Sequence, residues 1–188
     1  MLSSPVRRGT PTAAFGAGLV AGGCLTATAL LVVGSLVRAP LPQPARWAVV
    51  AAALGALLLV EWGGWAVRVP QNRRLVPESV FRFGRHLGPL QFGLEMGTGA
   101  RTYLPSALPY AAATAVALLA SPAAALCAGA GFGLGRALMT AAAVRYPGPD
   151  GDEHGRAWSD EWSRHAGRLA VLTSAAVVAA LAAVAVAG

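Results

Sequence analysis

The chain contains no lysine; all fifteen of its basic residues are arginine. Charge of either sign is scarce, since Asp, Glu, Lys and Arg together make up 12% of 188 residues, about half the share of an average soluble domain. That scarcity excludes a self-repelling disordered chain, a charge-laced coiled coil and an ordinary water-soluble enzyme. Cysteine is limited to Cys24 and Cys127. Neither has CxxC or CxxH spacing, so both read as packing residues. Histidine is limited to three residues, all in polar stretches. No serine–histidine–acid triad, zinc signature or phosphate loop can be assembled from this set. Neither enzymatic activity nor a cofactor or metal is therefore expected, and the run Asp150, Asp152, Glu153 and His154 reads as a solvated loop.

What fills the chain instead is apolar. Hydrophobic residues account for 55% and the mean hydropathy is +0.55, which together point to an integral membrane protein. A net charge of +7 would suggest nucleic acid in a soluble protein. Here the arginines lie between apolar runs, where they set membrane orientation, so no nucleic-acid partner is expected. Arginine used to the exclusion of lysine points to a GC-rich, bacterial genome, and hence to the bacterial plasma membrane.

About 20 apolar residues cross a bilayer as a helix, and on that basis five spans are expected in a single membrane domain over 1–188. The first, 12–37, lies in an uncharged run from Gly9 to Val37. That run is too long for a signal-peptide core, and no A-x-A site follows it. A Pro-rich connection, Ala39 to Pro44, leads to the second span, 47–67, whose Trp62 and Trp65 suit the headgroup level and leave Glu61 within reach of water. Residues 102–120 and 122–144 make a hairpin about Ser121-Pro122. The last span is 169–187. Before it, Tyr146 to Arg168 reads as a hydrophilic loop in which Ser159 caps a helix start, with Asp160 and Glu161 in its first turn. Trp158, Trp162 and His165 share one face of that helix, as an interfacial anchor.

The stretch from His86 to Arg101 fits none of these spans. It is apolar but interrupted by glycine and proline, and is expected to be a broken or re-entrant segment ahead of the third span. Irregular backbone survives at membrane depth only when buried in protein or lining a wet cavity. The candidate polar network gathers here: Gln91, Glu95, Arg101 and Ser106, with Arg136 from the fourth span as a partner. An unpaired ion near mid-bilayer costs about 3 kcal/mol or more. Glu95 is therefore expected to face the bundle interior and to pair with Arg101 or Arg136, through a break near Gly97 and Gly99. In the fourth span, Gly129, Gly131, Gly133 and Gly135 remove bulk from more than one face and allow close helix approach.

Charge placement gives the orientation. Twelve arginines fall in the N-terminal tail and in the loops after the second and fourth spans, counting Arg101. Arg38 and Arg46 fall on the opposite side, and Arg136 lies within a span. The positive-inside rule places the N-terminus in the cytoplasm and the C-terminus outside.

The segment Gly97 to Pro109 leads through glycines into Pro105, Ser106 and Pro109, a Pro-Ser-x-x-Pro pattern. With the glycine-rich span at GFGLGRAL, residues 90 to 140 resemble the CcdA/DsbD-type membrane thiol–disulfide transporters. That family carries a proline-flanked cysteine in a broken helix. Ser106 stands where the reactive cysteine would be, and a hydroxyl cannot form a disulfide. The resemblance therefore implies a retained fold without thiol redox activity. Two functions follow as expectations. One is a non-catalytic accessory subunit that meets a membrane-protein partner, or a second copy, through its small-residue faces. The other is a small transporter-like protein with a polar site near the midplane.

Overall fold

The computed structural model describes residues 10–62, 84–99, 108–146 and 152–187. Among these, all regular structure is helical. Six helices occur: α1 (Thr10–Arg38), α2 (Gln43–Trp62), α3 (Gly84–Gly97), α4 (Leu108–Leu119), α5 (Pro122–Arg145) and α6 (Asp152–Ala187). Four of them, α1, α2, α5 and α6, are long and apolar enough to cross a membrane, and α4 is a shorter apolar helix. The chain is a candidate multi-pass membrane protein on that ground. It divides into two compact units, Met1–Ala141 and Ala142–Gly188.

Helix ends follow local chemistry. Pro11 sits in the first turn of α1, where a missing N–H costs nothing. The connection after Arg38 is shorter than the Pro-rich string suggests, because α2 already begins at Gln43 and takes Pro44 into its first turn. The Pro42 carbonyl accepts from Ala45 and Arg46 at 3.0 and 3.2 Å. Arg38 Nη1 donates to the Ala120 carbonyl at 3.0 Å, tying the end of α1 to the end of α4. Ser121 then caps α5, its hydroxyl accepting from the Ala124 N–H at 3.3 Å, with Pro122 as the first helical residue.

In the first unit, α1 is the central helix, and glycine sets how its neighbours meet it. A methyl group on Gly18 would collide with the Leu90 carbonyl oxygen of α3, and one on Gly22 with that of Leu94. In return, methyls on Gly93 and Gly97 would strike the carbonyls of Phe15 and Leu19. The two backbones therefore touch directly along Gly18-x-x-x-Gly22 and Gly93-x-x-x-Gly97, the close approach that small residues permit. Contacts advance in step on both helices, from Thr10 with His86 to Thr26 with Thr98, so α1 and α3 are parallel. α4 also runs with α1, meeting it where Gly34 faces Ala117. α2 packs on α4. α5 runs the other way, with Ala137 at Gly16, Gly133 at Leu19 and Val20, and Gly129 at Gly23. Leu19 lies between α3 and α5 and is 1% exposed.

The expectations fare unevenly here. Residues 84–97 form a regular helix that carries Pro89 within it, and the break expected near Gly97 and Gly99 is where that helix ends. Packing of its glycines on the α1 ridge outweighs their weak helix propensity. Of the expected third span, 102–120, the described part is helical from Leu108 to Leu119, and 100–107 lie outside the described residues. In the second unit, α6 is one helix of 36 residues starting at Asp152, so Ser159 is an exposed position inside it and caps nothing. Packing holds the early turns. His154 Nε2 lies 2.8 Å from the Ala143 carbonyl, and Tyr146, Trp158 and Trp162 stack edge to face, each successive pair 5.3 Å apart. His165 pairs with Glu161 at 3.4 Å.

Candidate functional site

α3 has 14 residues and α4 has 12, each too short to cross a bilayer alone. Both run in the direction of α1, one beside its first half and the other beside its second. Together they are nearly as long as α1, which spans about 43 Å at 1.5 Å per residue. α3 ends near the middle of α1, where the Thr26 hydroxyl meets the Thr98 carbonyl.

That end is closed by a compact set of hydrogen bonds. The Thr98 and Gly99 N–H groups donate to the Leu94 and Met96 carbonyls at 3.1 and 3.2 Å. The Thr98 hydroxyl donates to the Glu95 carbonyl at 2.7 Å. The Thr26 hydroxyl donates to the Thr98 carbonyl at 3.0 Å, from the next helix. Gly99, at φ 72°, takes the left-handed conformation that ends helices and that glycine adopts without strain. A helix terminus inside a bundle leaves carbonyls without intrahelical partners, and here neighbouring hydroxyls and amides satisfy them. Gly99 also lies against the Phe132 ring of α5, and the Arg136 guanidinium sits 5.6 Å over that ring. Arg136 thus stands one aromatic ring away from the carbonyl end of α3, the negative end of that helix's dipole.

The anticipated polar residues are distributed unevenly around this point. Arg136 is half-buried on the flank of α5 that carries Phe132. Glu95 is half-buried on α3. Because Gly93 and Gly97 both face α1, Glu95, two residues from each, is on the side of α3 turned away from it. Gln91, one turn earlier on that same side, is exposed. Arg101 and Ser106 lie outside the described residues, as does the side chain of Glu61. Among the described residues no three His, Cys, Asp or Glu side chains gather as metal ligands. Cys24 is half-buried and Cys127 exposed, both as free thiols.

Reading the sequence did not single out Thr26, Thr98 and Phe132. The signal for Thr26 was present: it continues the ridge Gly18-x-x-x-Gly22-x-x-x-Thr26, a hydroxyl where the glycines stop. Phe132 carries no such mark, since an aromatic among glycines reads as bulk. Compared with protein-family models, with curated proteins and with solved structures, the chain matches none.

Proposed function

We propose that the chain is a small transporter-like membrane protein whose polar site lies at the interruption between α3 and α4. One observation carries this reading: two short helices follow α1 in the same direction, and the first stops near its middle, where hydroxyls and carbonyls are capped and an arginine stands one aromatic ring away. Discontinuous helices of this kind expose backbone groups at the depth where transporters hold their substrates. Polar side chains at such depth are costly unless paired or wetted, and so mark functional positions by default. Kinship with the thiol–disulfide transporters belongs to this proposal for the fold alone, since Ser106 replaces the reactive thiol.

Hydration of the interruption tests the reading. In a Cys24→Ala/Cys127→Ala background, Thr98→Cys should react with a small membrane-impermeant thiol reagent. Ala111→Cys, at a position on α4 that is 1% exposed, should not. Equal inertness of the two would mean a dry interruption and would remove the transporter-like reading.

The accessory-subunit reading keeps one observation of its own. Gly131 and Gly135, one turn apart on α5, meet nothing within 4 Å, and a bare small-residue face suits close helix association. Copurification of a stoichiometric membrane partner, lost on replacing both glycines with leucine, would favour it.

A further inference from the structure

We propose that the polar half of α6, from Asp152 to Arg168, is a surface helix that lies along the bilayer headgroups, and that α6 turns at Gly167 to enter the membrane. This goes beyond both readings of function and holds under either.

Lengths carry the argument. The 36 residues of α6 reach about 54 Å at 1.5 Å per residue, against about 30 Å of hydrocarbon. Apolar sequence fills only the part from Leu169 to Ala187, about 28 Å, which crosses by itself. The part before it, about 25 Å long, carries charge from end to end and cannot follow it into lipid. This polar half begins beside the end of α5. His154 Nε2 lies 2.8 Å from the Ala143 carbonyl, and the Trp158 ring is 5.3 Å from that of Tyr146. α5 has 24 residues and is about 36 Å long, so its end clears the hydrocarbon by about 6 Å. Leu169 enters the hydrocarbon from the same surface. A helix about 25 Å long whose two ends differ in height by about 6 Å runs nearly parallel to that surface.

Its two sides suit the position. His154, Trp158 and Trp162 follow one another at single turns and are half-buried, with Tyr146 edge to face against His154 and Trp158. Trp and Tyr favour the headgroup level. Glu153, Arg156, Asp160 and Arg164 are exposed on the opposite side, where water can hold them. Arg156, Arg164 and Arg168 balance Glu153, Asp160 and Glu161. The occupant of the aromatic side is therefore the headgroup layer of a neutral or an anionic bilayer alike, because rings and not net charge hold the helix there. At Gly167 an added methyl would meet nothing within 4 Å, and glycine gives a helix the backbone freedom to bend.

Spin labels on the full chain in lipid nanodiscs, in the Cys24→Ala/Cys127→Ala background, test both parts. Gly155→Cys and Ala179→Cys are exposed positions. They stand about 36 Å apart along a straight helix and about 25 Å apart if it turns through a right angle at Gly167. Double electron–electron resonance should return the shorter distance. Labels on Gly155→Cys, Ser159→Cys and Ser163→Cys should all lie at headgroup depth, measured by oxygen and nickel accessibility, in phosphatidylcholine and in phosphatidylglycerol. A distance near 36 Å, or a depth that changes by about 6 Å from each label to the next, overturns the surface helix. Headgroup depth found only in phosphatidylglycerol overturns the anchoring by aromatic rings and makes anionic lipid the partner.

Discussion

The glycines of α1, α2, α3 and α5 divide into two kinds that composition alone does not separate. At Gly18, Gly22, Gly97 and Gly133 an added methyl meets backbone atoms of a neighbouring helix, whereas at Gly55, Gly131 and Gly135 it meets nothing within 4 Å. Backbone cannot rotate aside as a side chain can, so the first kind must be accommodated by moving helices apart. Overpacking of this sort costs about 1–3 kcal/mol, and Gly22→Ala or Gly97→Ala should lower the unfolding midpoint of the detergent-solubilised protein accordingly. At the second kind the intrinsic preference of helices for alanine decides, worth about 0.5–1 kcal/mol in its favour. Gly131→Ala and Gly135→Ala should therefore be neutral or stabilising. A similar loss at Gly131 and at Gly22 would mean that the open face is covered in the folded protein. The string GAGFGLG announced close packing on more than one face. Only Gly129 and Gly133 are spent on α1, because a helix presents alternate members of a GxGxGxG run to different sides.

At the scale of elements, what hydropathy could reveal was local, and what it missed was set by neighbours. α1, α2 and α5 stand out as apolar runs because burial in lipid needs nothing but length. α3 does not, since its glycines and Pro89 weaken the helix taken alone, and the α1 ridge that rescues it lies about 70 positions away in the sequence. The start of α6 was misread for a related reason. Ser159 followed by Asp160 and Glu161 is a fair capping signal, yet contacts of His154 and Trp158 with Ala143 and Tyr146 carry the helix upstream past it. The two serines now make opposite forecasts. Ser121→Ala removes a hydroxyl that accepts the Ala124 N–H and should cost about 1 kcal/mol. Ser159→Ala lies on an exposed flank and should stay within about 0.5 kcal/mol of the parent. Chemical or thermal unfolding of the two variants side by side checks both, and an equal loss would restore Ser159 as a cap. For the candidate site, Arg136 was legible as a charge within an apolar run. Its setting over Phe132 was not, because that depends on where α3 stops.

For the whole molecule, the number of crossings decides which side of the membrane each terminus faces, and the short helices α3 and α4 decide the number. The four long apolar helices alone make an even count, which would return the C-terminus to the side of the N-terminus. If α3 and α4 act in series as one interrupted crossing beside α1, the count becomes five and the termini part. Arginine placement agrees with five, since eleven arginines (Arg7, Arg8, the five from Arg68 to Arg85 and the four from Arg145 to Arg168) then share a side against Arg38 and Arg46, with Arg101 between α3 and α4 and Arg136 within α5. The two arginines left on the other side are also engaged in local bonds: Arg38 donates to the Ala120 carbonyl at 3.0 Å and Arg46 Nε to that of Leu41 at 2.9 Å. A C-terminal alkaline phosphatase fusion, active only outside the cytoplasm, should therefore be active, and a C-terminal fluorescent protein that matures only in the cytoplasm should stay dark. Fusions truncated after Arg46 and after Arg145 should report outside and inside respectively. A dark phosphatase at the C-terminus, with the Arg46 fusion still outside, would mean that α3 and α4 do not cross together. The interruption between them would then lie at a membrane surface, where its capped carbonyls face water and need no site to explain them.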